Sequence, residues 1–268
     1  MDKLNPLRAH YLEAMGIQLW EQRAAQAPPD GVRAANSGLE QLATPQAAIS
    51  RDSLMEQPMA RKRQVTSPLA ADAAGIPIAD IMTLDWPALE QAVNTCTRCR
   101  LSATRSNMVF GVGNRRADWM VIGEAPGAEE DRQGEPFVGR AGQLLNAMLK
   151  AIGLAREDVY IANILKSRPP QNRDPLPDEM AACAPFLMRQ IQLIQPKIIL
   201  AVGRIAAQNL LQTDTKIGLL RGKRYVYPGT DIPLVVTYHP AYLLRSPGEK
   251  RKAWEDLKFA VKVRKGEA

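Results

Sequence analysis

Four short apolar runs end at Glu124, Asn163, Gly203 and His239. A carboxylate and an imidazole can hold or move protons, and a side-chain amide offers one acceptor and one donor group. The first of these residues lies in the stretch Gly123 to Gly142, GEAPGAEEDRQGEPFVGRAG, which carries five glycines and two prolines. Glycine lets a backbone approach a ligand or take positive φ, and proline stiffens the turn. The stretch has neither Walker spacing with a Lys-Ser/Thr pair nor GxGxxG after a strand, which disfavours nucleotide-cofactor binding. A second group is Cys96-Thr97-Arg98-Cys99, with Cys183 far along the chain. CxxC suits a metal site or a redox pair, but three cysteines are an incomplete zinc or iron–sulfur set. Each feature has a plainer alternative: a Gly/Pro-rich connection, an Asn that bonds a turn, a structural histidine.

These residues need elements to position them. The apolar runs Trp119–Ile122, Val159–Ile164, Ile198–Val202 and Leu234–Tyr238 read as buried strands. Helical patterns lie between and after them, at 140–152, 177–194, 204–212 and 249–264. Strand–helix alternation predicts a parallel sheet covered on both faces. Polar residues at the carboxyl edge of such a sheet converge on one crevice.

Ahead of this unit, Asp85 can cap a helix with Pro87 in its first turn, so the folded domain is expected over residues 84–268. Residues 24–83, rich in Ala, Pro, Gln, Ser and Asp, read as a flexible linker. Residues 1–23 contain an amphipathic pattern, with Leu12, Met15, Leu19 and Trp20 near one face. A helix at the tip of a linker suits docking on a partner. The alternative is a helix that folds back on its own domain.

The net charge of +7 is unevenly placed. Residues 1–84 hold 8 Lys/Arg and 9 Asp/Glu; residues 85–268 hold the other 27 and 19, a balance of +8. A basic domain suits a polyanion such as nucleic acid. No apolar run reaches membrane-spanning length and no signal peptide opens the chain, so no membrane association and a cytoplasmic location are expected.

The motifs GEAPGAEEDRQGEPFVGRAG, NILKSRPPQNRDPLPDE and YHPAYLLRSP, in that order, resemble the family 4 uracil-DNA glycosylases over residues 85–262. The resemblance implies an α/β fold, an α/β/α sandwich around a four-stranded parallel sheet. It also implies hydrolysis of the N-glycosidic bond of deoxyuridine, with uracil-containing DNA as the partner. On that basis Phe137 stacks on the flipped base, Asn163 reads N3–H and O4, and Gly123 and Ala125 lie against substrate. His239 meets O2, and Glu124 positions or activates the attacking water. Pro126, Gly127, Pro240, Ala241, Arg245 and Ser246 grip flanking phosphates, with Lys166 and Arg168 as further candidates. Glu130 and Asp131 either brace the loop or touch substrate. The family also implies a 4Fe–4S cluster on four cysteines. Here Cys96, Cys99 and Cys183 match, but Ser167 stands at the remaining position, so the set is incomplete and the cluster is expected to be absent, labile or completed by Ser167 or water.

Residues 11–23, YLEAMGIQLWEQR, also resemble the N-terminal peptide of the psi subunit of bacterial DNA polymerase III, which docks on the clamp loader. This implies either a tether to the replication machinery or, as the alternative function, a non-catalytic psi-like clamp-loader subunit on a glycosylase-like scaffold.

Overall fold

The computed structural model describes Glu13 and residues 76–268. Apart from Glu13, the psi-like segment lies outside the described residues, as does nearly all of the linker. The folded unit begins earlier than expected. Helix α1 (Ile78–Ile81) precedes α2 (Trp86–Asn94), and Ile81 is fully buried with Leu89, Val93, Phe110 and Phe186. That apolar side chain binds the end of the expected linker into the core. Asp85 caps α2 as expected, accepting from the Ala88 amide at 3.0 Å.

The sheet contains β1 (Val112–Gly113), β2 (Trp119–Gly123), β3 (Tyr160–Asn163), β4 (Ile198–Val202), β5 (Arg224–Val226) and β6 (Pro233–Thr237). Its order is β1-β3-β2-β4-β6-β5. The central four strands are parallel, and β1 and β5 add short antiparallel edges. Strands β2, β3 and β4 are buried at every position, as continuous apolar runs in a doubly covered sheet should be.

The loop after β2 enters α3 (Ala128–Gln133) and then α4 (Arg140–Ala151). Next come α5 (Pro177–Ile194), α6 (Arg204–Leu211), α7 (Ile217–Leu220), α8 (Pro240–Arg245) and α9 (Lys250–Lys265). One core layer joins Val121, Ile161, Leu200 and Val235 to Leu145 and Leu149 of α4 and to Leu257 and Ala260 of α9. The opposite layer joins Met120, Ala162, Ile199 and Val236 to Leu187 and Ile191 of α5 and to Ala206 and Leu210 of α6. Alternate strand residues thus feed opposite layers, which makes the α/β/α sandwich. Among the described residues no helix is long and apolar enough to cross a membrane.

Candidate active site

The carboxyl ends of the parallel strands open into a cavity of about 710 Å³ lined by Glu124, Phe137, Asn163, Gly203 and His239, among others. The ladder continues one step past the strands: the Ile164 amide donates to the Gly123 carbonyl at 3.0 Å and the Leu165 amide to that of Glu124 at 3.1 Å. This fixes the backbones of Glu124 and Asn163 side by side.

Asn163 is buried, and its Oδ1 has no hydrogen-bond partner. A buried acceptor without a donor costs free energy, on the order of 1–3 kcal/mol, so a ligand N–H is the natural complement here. Gly123, expected against substrate, is not in the cavity lining but lies against Asn163 and Phe137. A Cβ at 123 would lie 2.5 Å from Asn163 Oδ1 and 2.6 Å from Phe137 Cζ, so no side chain fits.

Phe137 reaches the cavity through a strained loop, with φ of 55°. Its ring lies 5.6 Å from the His239 ring, with the planes inclined by 31°. Behind it, a Cβ at Gly142 would fall 1.8 Å from the Phe137 carbonyl oxygen, so only glycine lets the loop close on α4. Glu130 braces the same loop, its Oε1 accepting from the amides of Val138 and Gly139 at 3.0 and 3.1 Å. Asp131 instead ties α3 to the segment before β1, accepting from the Ser106 amide at 2.9 Å.

His239 caps α8, its Nδ1 accepting from the Ala241 amide at 3.1 Å. A nitrogen that accepts carries no proton, so the neutral ring holds its hydrogen on Nε2. Burial, helped by Arg245, pushes its pKa down to about 4. The imidazole is therefore a neutral donor at physiological pH. Burial and the Asp174 carboxylate push Glu124 up to about 7, while Arg204 opposes them. A carboxyl poised there can accept a proton from water.

Of the other expected contacts, Ala125, Pro126, Gly127, Ala241 and Arg245 line the cavity. Pro240 and Ser246 do not: Pro240 is buried in the first turn of α8 and has no N–H to offer a phosphate, and the Ser246 amide donates to the Tyr242 carbonyl as α8 ends. Lys166 is not a phosphate ligand either. It is fully buried, and its Nζ donates to the Asn163 carbonyl at 3.0 Å and to Gln190 Oε1 at 2.7 Å. Arg168 donates to Asn172 Oδ1 at 2.7 Å and does not line the cavity. Sequence reasoning missed Arg173, Asp174, Arg204, Tyr238 and Tyr242, which do. The first two stand in the motif NILKSRPPQNRDPLPDE, which was the available signal.

The three cysteines gather in one corner and none of them lines the cavity. Cys183 packs with Leu101 and Leu165, Cys99 lies against them, and Cys183 feels the charges of both Cys99 and Cys96. Burial pushes the Cys183 thiol up to about 11 and raises Cys99 as well. Ser167 is buried with its hydroxyl engaged, accepting from Arg105 Nη1 at 3.4 Å and donating to Met108 Sδ at 3.2 Å. Among the described residues no cluster of three or more His, Cys, Asp or Glu is arranged to hold a metal ion. Three thiols and an engaged hydroxyl do not fit a cluster carried by four thiolates.

Residues 110–258 match the family described as the Uracil DNA glycosylase superfamily. The chain is 46% identical over 172 residues to the type-4 uracil-DNA glycosylase of Archaeoglobus fulgidus, covering 62% of this chain and 86% of that one. It is 46% identical to the type-4 enzyme of Saccharolobus solfataricus (62% and 80% covered) and 42% identical to that of Thermotoga maritima (64% and 91%). With the motif residues gathered at the strand ends of an α/β/α sandwich, the chain belongs to the uracil-DNA glycosylase superfamily.

Proposed function

We propose that this chain hydrolyses the N-glycosidic bond of deoxyuridine in DNA, the first step of base excision repair. The orphan acceptor Asn163 Oδ1 carries this reading, because uracil presents N3–H where cytosine presents an acceptor. The base leaves the stack to reach such a recess, and the Phe137 ring offers it a face. Asn163 Oδ1 accepts N3–H. His239 Nε2–H donates to O2, where negative charge collects as the C1′–N1 bond breaks and its electron pair departs with the base. Glu124, as carboxylate, takes a proton from the water whose oxygen bonds to C1′. The proton taken by Glu124 returns through solvent to the departed uracil anion, so the products are uracil and an abasic site and only water is consumed.

The direct test is excision from a uracil-containing oligonucleotide by the wild type beside Glu124→Ala and Asn163→Ala. Abasic sites formed only by the wild type support the reading. Equal product from wild type and Glu124→Ala, or none from folded wild type, overturns it. A tether to the clamp loader through residues 1–23 rests on the short psi-like resemblance alone. Deleting those residues should leave excision unchanged and remove clamp-loader association; unchanged association ends the tether idea. Wild-type excision would likewise end the non-catalytic alternative.

A further inference from the structure

The cavity mouth carries an ion pair that the chemistry above does not use. Arg204 Nη2 donates to Asp174 Oδ2 at 2.6 Å, with the two side chains 50% and 64% exposed. Both residues line the cavity. Arg204 is the first residue of α6, directly after Gly203 at the end of β4. A cation is unfavourable in the first turn of a helix, so helix stability does not explain an arginine here. Arg173 offers a contrast. Its guanidinium grips the buried Glu179 carboxylate with both Nη atoms, at 2.9 and 2.6 Å, and Glu179 also accepts from the Leu176 amide. Arg173 is therefore part of the loop frame, whereas Arg204 is held by the exposed Asp174 and by one long bond from its Nη1 to Gln208 Oε1 at 3.4 Å. Such pairs are weak, and phosphate is a strong bidentate partner for guanidinium. Both members also lie within electrostatic reach of Glu124, Asp174 pushing its carboxyl up and Arg204 pulling it down.

We propose that Arg204 is a DNA-phosphate contact screened by Asp174 until DNA arrives, and that Asp174 is the counter-charge which weakens binding of polyanions. This rests on the glycosylase reading of the same cavity. A backbone phosphate displaces the Asp174 carboxylate from the guanidinium, and no covalent bond changes. The two residues thus act on affinity in opposite directions, which distinguishes them from a pair that merely braces the rim.

The test is binding of a short undamaged duplex, without uracil, across a salt series. Arg204→Ala should weaken binding by about tenfold near 0.1 M salt and reduce the slope of log affinity against log salt by about one. Arg204→Lys should restore most of that slope, and Asp174→Asn should tighten binding several-fold. An unchanged slope in Arg204→Ala, or weaker binding by Asp174→Asn, overturns the proposal. The two readings fail separately. Wild type that excises uracil while Arg204→Ala keeps the full slope overturns the phosphate contact alone. Arg204-dependent binding without excision supports the contact and overturns the glycosylase activity.

Discussion

The Ala241 amide donates to His239 Nδ1 across 3.1 Å, so one backbone group decides which face of the imidazole carries the proton. The ring is neutral down to about pH 4. His239→Ala should lower excision by about 10²–10³-fold, as loss of a donor to a developing anion does. The pH profile should show no limb from this histidine above pH 5. A limb between pH 5 and 7 that disappears in His239→Ala would mean that the imidazolium is the active form.

Glu124 should set that profile instead. Its carboxyl titrates at about 7, so excision should rise with pH through that value and then level. The same group opposes stability. In the unfolded chain it ionises near its ordinary value, about 4.3. Between there and about 7 the native state holds a proton that the unfolded state has released, so stability falls as pH rises through this window and the loss is complete above it. Glu124→Gln should therefore abolish excision yet raise the melting temperature at pH 8, by the equivalent of about 1–2 kcal/mol after discounting for partial exposure. A lower melting temperature than wild type at pH 8 would refute the assignment.

The approach of Phe137 to α4 makes Gly142 the critical small residue. A methyl group there meets the Phe137 carbonyl at 1.8 Å. Gly142→Ala should cost about 2 kcal/mol or more and lower excision, because the stacking ring moves. Gly218, where an added Cβ meets open space, is the control: Gly218→Ala within α7 should leave excision unchanged and not lower stability. Equal behaviour of the two variants in denaturant melts and excision assays would remove the argument.

The cysteine corner makes a prediction in iron. With Ser167 engaged by Arg105 and Met108, anaerobically purified wild type should contain far less than four irons per chain and lack the brown absorbance of a 4Fe–4S cluster. Ser167→Cys should gain both. Four irons in the wild type would show that the hydroxyl leaves its partners and ligates.

The four central strands were legible because each is a continuous apolar run closed by a helix pattern. The edges were not: β1 is two residues long, and Arg224-Tyr225-Val226 is too short and polar to stand out. Glu124, Asn163 and His239 were legible because strand ends share one rim. Lys166 misled because a lysine beside Arg168 reads as a phosphate ligand. The turn after β3 instead drives its side chain inward, where two acceptors meet it. Arg204 and Asp174 escaped notice because their pairing spans 30 residues and depends on how the loop after β3 meets the start of α6 at one cavity. The tautomer of His239 needed the position of the Ala241 amide, which no residue type encodes.

Between β2 and β6 lies β4, and its tip is Gly203, where a Cβ would press the His239 Cβ at 3.0 Å. Neighbouring strands are about 4.8 Å apart, so the bases of Glu124 and His239 stand about 10 Å from each other across a bare picket in the fence. The gap between the carboxylate and the imidazole is therefore a gauge cut into the backbone. Mutation can exchange the tools on either side while the width of the object they work on stays fixed by the sheet.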